Sequence, residues 1–175
     1  MPTTVSVFVG ASVDGFIART NHELDFLPEN AEPHGYDEFM ATVDALVIGR
    51  KTFEKVMTFG SWPYGDKRVV VLSSRPVDFS GVVGGNVEHM DGPPADILSR
   101  LEASGVRHIY LDGGITIQRF LHLGLVQRLT ITRVPVLIGK GIPLFASLPH
   151  DVRLRHIATR HYPSGLVQTE YEVAS

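Results

Sequence analysis

The stretch VRHIYLDGGITIQRFLHL, from Val106 to Leu123, changes rhythm at its middle. Ile109 to Leu111 is an apolar run of buried-strand length, whereas Ile117, Phe120 and Leu121 fall at i, i+3 and i+4, one face of a helix. Asp112-Gly113-Gly114 stands between the two. A strand that passes through a glycine pair straight into a helix aims several free N–H groups at one point, and the helix dipole adds partial positive charge there. No side chain at Gly113 or Gly114 keeps a ligand off the backbone. An anion such as a phosphate or pyrophosphate suits such a junction, although for an isolated glycine pair a tight strand-to-helix turn is the better explanation.

Outward from this stretch, similar junctions recur. Val5 to Val9 reads as a buried strand and leads into a loop of small residues, Gly10 to Ala18, in which Asp14-Gly15 is a turn signal that Asp14 itself could hold. Leu46 to Ile48 reads as a second strand and ends in Gly49-Arg50-Lys51-Thr52, after which Phe53 and Val56 continue at helical spacing. Thr52 is placed to cap that helix or to bond a phosphate oxygen. Val69 to Leu72 is a third strand, followed by Ser73-Ser74-Arg75, where two hydroxyls and a guanidinium suit a phosphomonoester or form a solvated turn. Ligands of open α/β sheets bind beyond the carboxyl ends of the strands, so four such loops favour an extended phosphate-bearing ligand such as a dinucleotide. Neither Gly-x-Gly-x-x-Gly after a strand nor the Walker lysine motif is present.

Between these junctions, Arg19 to His34 is polar, contains Pro28 and Pro33, and carries Leu24, Phe26 and Leu27, as a loop packed over a site would. Tyr36, Phe39, Met40 and Val43 mark a short amphipathic helix, and Pro94, Ile97, Leu98 and Leu101 mark another that stops at Gly105. Trp62 lies in the loop Gly60 to Gly65, where it either stacks on a ligand or anchors the core. Val87 to Met90 reads as a short strand, Leu129 and Ile131 alternate with Thr130 and Thr132, and Gly139 to Phe145 reads as a loop. Val152 to Thr159 and Leu166 to Val173 alternate as two strands around a turn at Pro163-Ser164-Gly165. The expected fold is α/β, a mostly parallel central sheet with flanking helices and a C-terminal antiparallel hairpin, in one domain over 1–175.

Composition narrows the function. A formal net charge of −3 without a Lys/Arg run argues against nucleic acid and polybasic membrane roles. The absence of cysteine excludes disulfides, thiol nucleophiles and Cys-based zinc sites, and the eight histidines are scattered, so no metal is expected. His156 and His161 read as surface or packing residues of the hairpin. With no apolar run of spanning length and no charged and apolar leader pattern at Met1-Pro2-Thr3-Thr4, the expectation is a soluble cytoplasmic protein.

Taken in order, Ser12-x-Asp14-Gly15-x-Ile17-Ala18, Gly49-Arg50-x-Thr52, Leu72-Ser73-Ser74-Arg75, Asp112-Gly113-Gly114 and Gly139-x-Gly141-Ile142-Pro143-Leu144-Phe145 resemble the dihydrofolate reductase-like proteins. The nearest branch is the one similar to the reductase domain of the riboflavin-biosynthesis deaminase-reductases. This resemblance covers almost the whole chain and implies NADPH as hydride donor to a small molecule. By motif match it places Gly49, Arg50, Lys51 and Thr52 at the pyrophosphate with Gly113, Gly114, Ile115 and Thr116. It places Leu72, Ser73, Ser74 and Arg75 on the adenosine side, with Arg75 favouring the 2′-phosphate, and Gly10, Ala11 and Ile17 at the nicotinamide. It assigns Asp14, Phe39 and Thr132 to the substrate and names no proton donor. The carboxylate with which dihydrofolate reductases bind pterin would fall near Gly35, which neither Asp37 nor Glu38 matches, so the resemblance implies another small heterocyclic (pyrimidine- or pterin-like) compound. The alternative is a nucleotide-binding protein without catalysis. The branch tends to dimerise, and the antiparallel edge around Leu129 to Val136 and Val152 to Val173 gives a homodimer something to cover.

Overall fold

The computed structural model describes residues 2–174. Its central sheet contains six parallel strands, β1 (Thr4–Ser12), β3 (Ala45–Gly49), β4 (Arg68–Leu72), β5 (Asn86–Met90), β6 (His108–Asp112) and β7 (Arg128–Val134). Antiparallel β10 (Val167–Val173) and β9 (Leu154–His161) extend it to eight, in the order β5-β4-β3-β6-β1-β7-β10-β9. Strands β2 (Phe16–Ala18) and β8 (Ile142–Pro143) form a separate small ribbon beside its carboxyl edge.

The mostly parallel sheet with its terminal hairpin is the architecture the sequence implies. Ala45 to Ile48 of β3 and Ile109 to Leu111 of β6 are buried throughout, because helices cover both faces of these strands. Helices α3 (Pro94–Ala103) and α4 (Gly114–His122) cover one face, with Ile97, Leu101, Ile117 and Phe120 packed against Val5, Val47, Ile109 and Leu111. Helices α1 (Tyr36–Thr42) and α2 (Arg50–Val56) cover the other, where Phe53 and Val56 meet Phe8, Leu46, Ile48 and Tyr110.

Three local expectations are corrected. Gly10 to Ala18 is not one loop. β1 continues to Ser12 because Gly10, Ala11 and Ser12 pair with Thr132, Arg133 and Val134 of β7, and the chain re-enters strand at Phe16. The ninth strand covers Leu154 to His161 rather than Val152 to Thr159, in the register set by pairing with β10. Gly139 to Phe145 contains the short β8, held by pairing with β2.

The order β4-β3-β6-β1 fixes where a site can form. β3 and β6 are parallel neighbours, yet β3 feeds α2 on one face and β6 feeds α4 on the opposite face. The chain thus parts in two directions at adjacent strand ends, and a crevice opens between them. Among the described residues no helix is long and apolar enough to cross a membrane.

Candidate active site

The two junctions are interlocked. Thr52, at the start of α2, lies over Gly113 of the β6–α4 turn, where an added Cβ would come within 2.5 Å of the Thr52 Oγ1. Thr116, at the start of α4, lies over Gly49, where a Cβ would come within 2.7 Å of the Thr116 Oγ1. Gly113 also has φ +101°, a backbone region side chains rarely adopt. These glycines let the two helix starts close on each other, so their free N–H groups and dipole ends face one crevice from opposite sides of the sheet.

Beyond them opens a cavity of about 590 Å³. Gly49, Arg50, Lys51 and Thr52 line it from one junction and Gly113, Gly114, Ile115 and Thr116 from the other, with Gly10, Ile17 and Leu72. Four cations border it, Arg50, Lys51, Lys55 and Arg119, against one carboxylate, Asp112. Among the described residues Lys51 and Arg119 have no carboxylate within 4 Å, while Arg50 lies 3.5 Å from Glu54 and Lys55 2.9 Å from Glu23. Such a balance suits an anionic ligand. The residues present fit NADPH on that ground and on the two helix starts, at Arg50 and Gly114, that the interlocked glycine junctions bring to the cavity.

The other end of the cavity is built differently. Phe8, Val56, Tyr64 and Tyr110 belong to the apolar cluster on the α1/α2 face, and Leu24, Leu27 and Phe59 complete the wall. Leu24 and Leu27 come from the segment Arg19 to His34, which covers the cavity as its apolar residues imply. A Cβ on Gly10 would meet the Leu27 side chain at 3.2 Å. The segment is tied down at both ends, by Glu23 on Lys55 and by Glu32, which accepts hydrogen bonds from the Ser164 N–H (3.0 Å) and Oγ (2.6 Å) in the β9–β10 turn.

Asp112, the last residue of β6, shares the α1/α2 face with Tyr110 and is only partly exposed. Loss of water around the carboxyl pushes it up to about 6, against the opposing effect of the Gly113 N–H, which donates to Oδ1 at 2.9 Å. Burial, and after it the Asp112 charge, push the Tyr64 and Tyr110 phenols above their ordinary range, so both stay protonated at neutral pH. The Tyr110 hydroxyl donates to the Phe8 carbonyl at 3.1 Å. The sequence shows Asp112 only as part of a motif, without a role of its own, and gives no sign of Tyr64 or Lys55 as site residues. An acid at a strand end, a loop tyrosine and a helical lysine become notable only when folding places them in one cavity.

Several candidates stand elsewhere. Ala11 is fully buried and, by strand alternation, lies on the sheet face opposite Gly10. Ser73, Ser74 and Arg75 follow Leu72 but do not line the cavity; the Ser73 hydroxyl accepts from the Arg75 N–H at 3.1 Å. Asp14 is exposed and accepts from the Gly139 and Ile138 N–H groups at 2.8 and 3.3 Å. The Ser12 hydroxyl, then those N–H groups, hold its carboxyl below the usual range. Phe39 stacks on Phe8 with ring centres 4.9 Å apart and faces a second cavity of about 480 Å³. Buried Thr132 accepts a hydrogen bond from the Gln168 amide at 3.0 Å, and that amide also donates to the His34 carbonyl at 2.8 Å.

Residues 3–168 match the family model of the RibD C-terminal domain. A structure from Shewanella sp. PV-4, provisionally described as a riboflavin biosynthesis protein, is 34% identical, covers 98% of this chain and 99% of its own, and superposes with a TM-score of 0.89. The diaminohydroxyphosphoribosylaminopyrimidine deaminase/5-amino-6-(5-phosphoribosylamino)uracil reductase of Thermotoga maritima shares the fold at 15% identity and TM-score 0.76. It matches 99% of this chain, which spans 57% of that longer protein. Dihydrofolate reductase from Enterococcus faecalis, complexed with NADP(H), shares the fold at 18% identity and TM-score 0.66, over 98% of this chain and 97% of its own.

Proposed function

The chain belongs to the family of RibD C-terminal domains, and from that membership and the cavity's charge pattern we propose that it is an NADPH-dependent reductase of a small heterocyclic substrate. One observation carries the reading most. A single cavity joins a cationic, glycine-lined crevice between two helix starts to an apolar chamber whose one acid titrates near neutrality.

In this reading the α2 and α4 starts hold the pyrophosphate through their N–H groups, with Arg50, Lys51 and Arg119 adding charge. Arg75, three residues beyond Leu72 and outside the cavity lining, is assigned in this reading to the adenosine side, where it favours a 2′-phosphate. When bound, the reduced nicotinamide supplies a hydride. Phe8, Tyr64 and Tyr110 hold a flat ring beside Gly10 and Ile17, and the Leu24–Leu27 cover keeps bulk water away. The Asp112 carboxyl gives its proton to the nitrogen or oxygen of the C=N or C=O bond whose carbon receives the hydride, and it regains a proton from water. The substrate is thereby reduced by two electrons and the cofactor oxidised by two. Two copies joined along the β9 edge make a homodimer, since β9 is exposed along almost its whole length.

Fluorescence titration with NADPH and NADH, followed by NADPH oxidation against pyrimidines, pterins and carbonyl compounds, tests the proposal. Tighter binding of NADPH with turnover of at least one class is expected. Tight binding with no turnover would favour a nucleotide-binding protein without catalysis.

A further inference from the structure

The Thermotoga protein, which shares this fold, is named for a substrate that carries a phosphate. A phosphate reaching the apolar chamber needs a cation that is free to meet it. Arg50 and Lys51 stand at the first turn of α2, beside the glycine junctions, and Arg119 lies on α4 across the sheet. Lys55 stands one helical turn beyond Lys51, farther from the glycine junctions, and lines the same cavity. Its ammonium is engaged. The Glu23 carboxylate, from the covering segment, accepts its hydrogen bond at 2.9 Å, and the Lys55 side chain is only 22% exposed.

The rest of this part of the wall is mostly apolar, with Phe8, Leu24, Leu27, Val56 and Phe59; Thr20, His22, Tyr64 and Tyr110 add polar atoms, and Asp112 carries the charge that repels an anion once it ionises. Placing a phosphate there would strip it of water against mostly apolar walls, while the Lys55 ammonium is already held by Glu23. An uncharged aromatic or heterocyclic compound loses little on entering the same space. Glu23 is the removable part of the barrier, because it lies on an exposed loop and touches the chamber through Lys55.

We propose that the substrate of this chain carries no phosphate, and that Glu23 sets this specificity by occupying Lys55 and fastening the cover over the chamber. The proposal rests on the reductase reading above and narrows its substrate class. Glu23 acts through Lys55 and is therefore a specificity-determining residue rather than a catalytic one.

The test uses the NADPH-loaded protein and a pair of probes, 5-amino-6-(ribosylamino)uracil and its 5′-phosphate, with dissociation constants read by calorimetry. NADPH binding is measured first, so that a chain unable to bind NADPH reports failure of the reductase reading and not of this one. The wild-type protein is expected to bind the unphosphorylated probe at least tenfold more tightly. Glu23→Gln is expected to bring the two probes within about threefold of each other by tightening the phosphorylated one, and Lys55→Met added to Glu23→Gln is expected to restore the original ratio. Circular dichroism confirms that each variant is folded. Wild-type protein that binds the phosphorylated probe as well as the other overturns the proposal. A Glu23→Gln protein that still fails to bind the phosphorylated probe overturns it too.

Discussion

Replacing Asp112 by Asn separates what this side chain costs the fold from what it does in the cavity. The asparagine keeps the shape and the oxygen that accepts the Gly113 N–H at 2.9 Å, but it cannot ionise. In the folded chain the carboxyl titrates at about 6, raised by loss of water from an ordinary value of 3.8. Between those two values the folded state holds more protons than the unfolded one, so stability falls as pH rises through the window from about 4 to about 6 and is level above it. The full shift corresponds to about 3 kcal/mol in a dry site, and cavity water reaching the carboxylate reduces that to about 1–2 kcal/mol. Asp112→Asn is therefore expected to be more stable than wild type by about 1–2 kcal/mol at pH 8 and no more stable near pH 4. Urea denaturation at several pH values reads this directly. Turnover is expected to fall by about 10²–10⁴-fold, the usual share of a positioned acid. The wild-type rate should decline above pH 6 as the acid loses its proton. A stability difference that does not vary with pH, or a variant that turns over as fast as wild type, would refute the reasoning.

Arg75→Ala is expected to weaken NADPH by about tenfold, roughly 1.5 kcal/mol, and to leave NADH nearly unchanged in fluorescence titration; equal losses remove Arg75 from this role. Gly113→Ala combines φ +101° with a Cβ only 2.5 Å from the Thr52 Oγ1, and is expected to cost about 2–3 kcal/mol in urea denaturation and to weaken NADPH binding. A loss below about 0.5 kcal/mol would mean that the junctions are not interlocked. Gln168→Leu leaves the His34 carbonyl and the Thr132 hydroxyl without their donor, and is expected to cost about 1–3 kcal/mol and to speed hydrogen exchange in the segment from Arg19 to His34. Light scattering coupled to size exclusion is expected to give a dimer mass, and a monomer mass persisting at high concentration would count against the β9-edge pairing.

Much of this arrangement was legible before the fold. A strand announced by an apolar run, a glycine and then helical spacing is a local signal, and it placed the starts of α2 and α4 correctly because both helices begin within a residue of their glycines. The contact between those two starts was not legible. Thr52 over Gly113 and Thr116 over Gly49 join positions more than sixty residues apart, and nothing local at either glycine distinguishes a neighbour's side chain from a ligand. Gly10-Ala11-Ser12 read as loop because small residues have little strand propensity, and pairing with β7 overrode that preference. Asp112 was visible as part of a motif, but its acidity is a property of the surrounding walls and not of the sequence around it. The same holds for Lys55, whose partner Glu23 lies 32 residues away on the covering segment.

Transfer of label from nicotinamide-deuterated NADPH tests the central claim most directly. The protein is incubated with the labelled cofactor and a panel of unphosphorylated pyrimidines, pterins and aromatic carbonyl compounds, and products are read by mass spectrometry. The account requires deuterium on carbon in a reduced product, formed by wild-type protein and lost or greatly slowed in Asp112→Asn. Tight, stoichiometric binding of the cofactor with no label transferred to any member of the panel would contradict it.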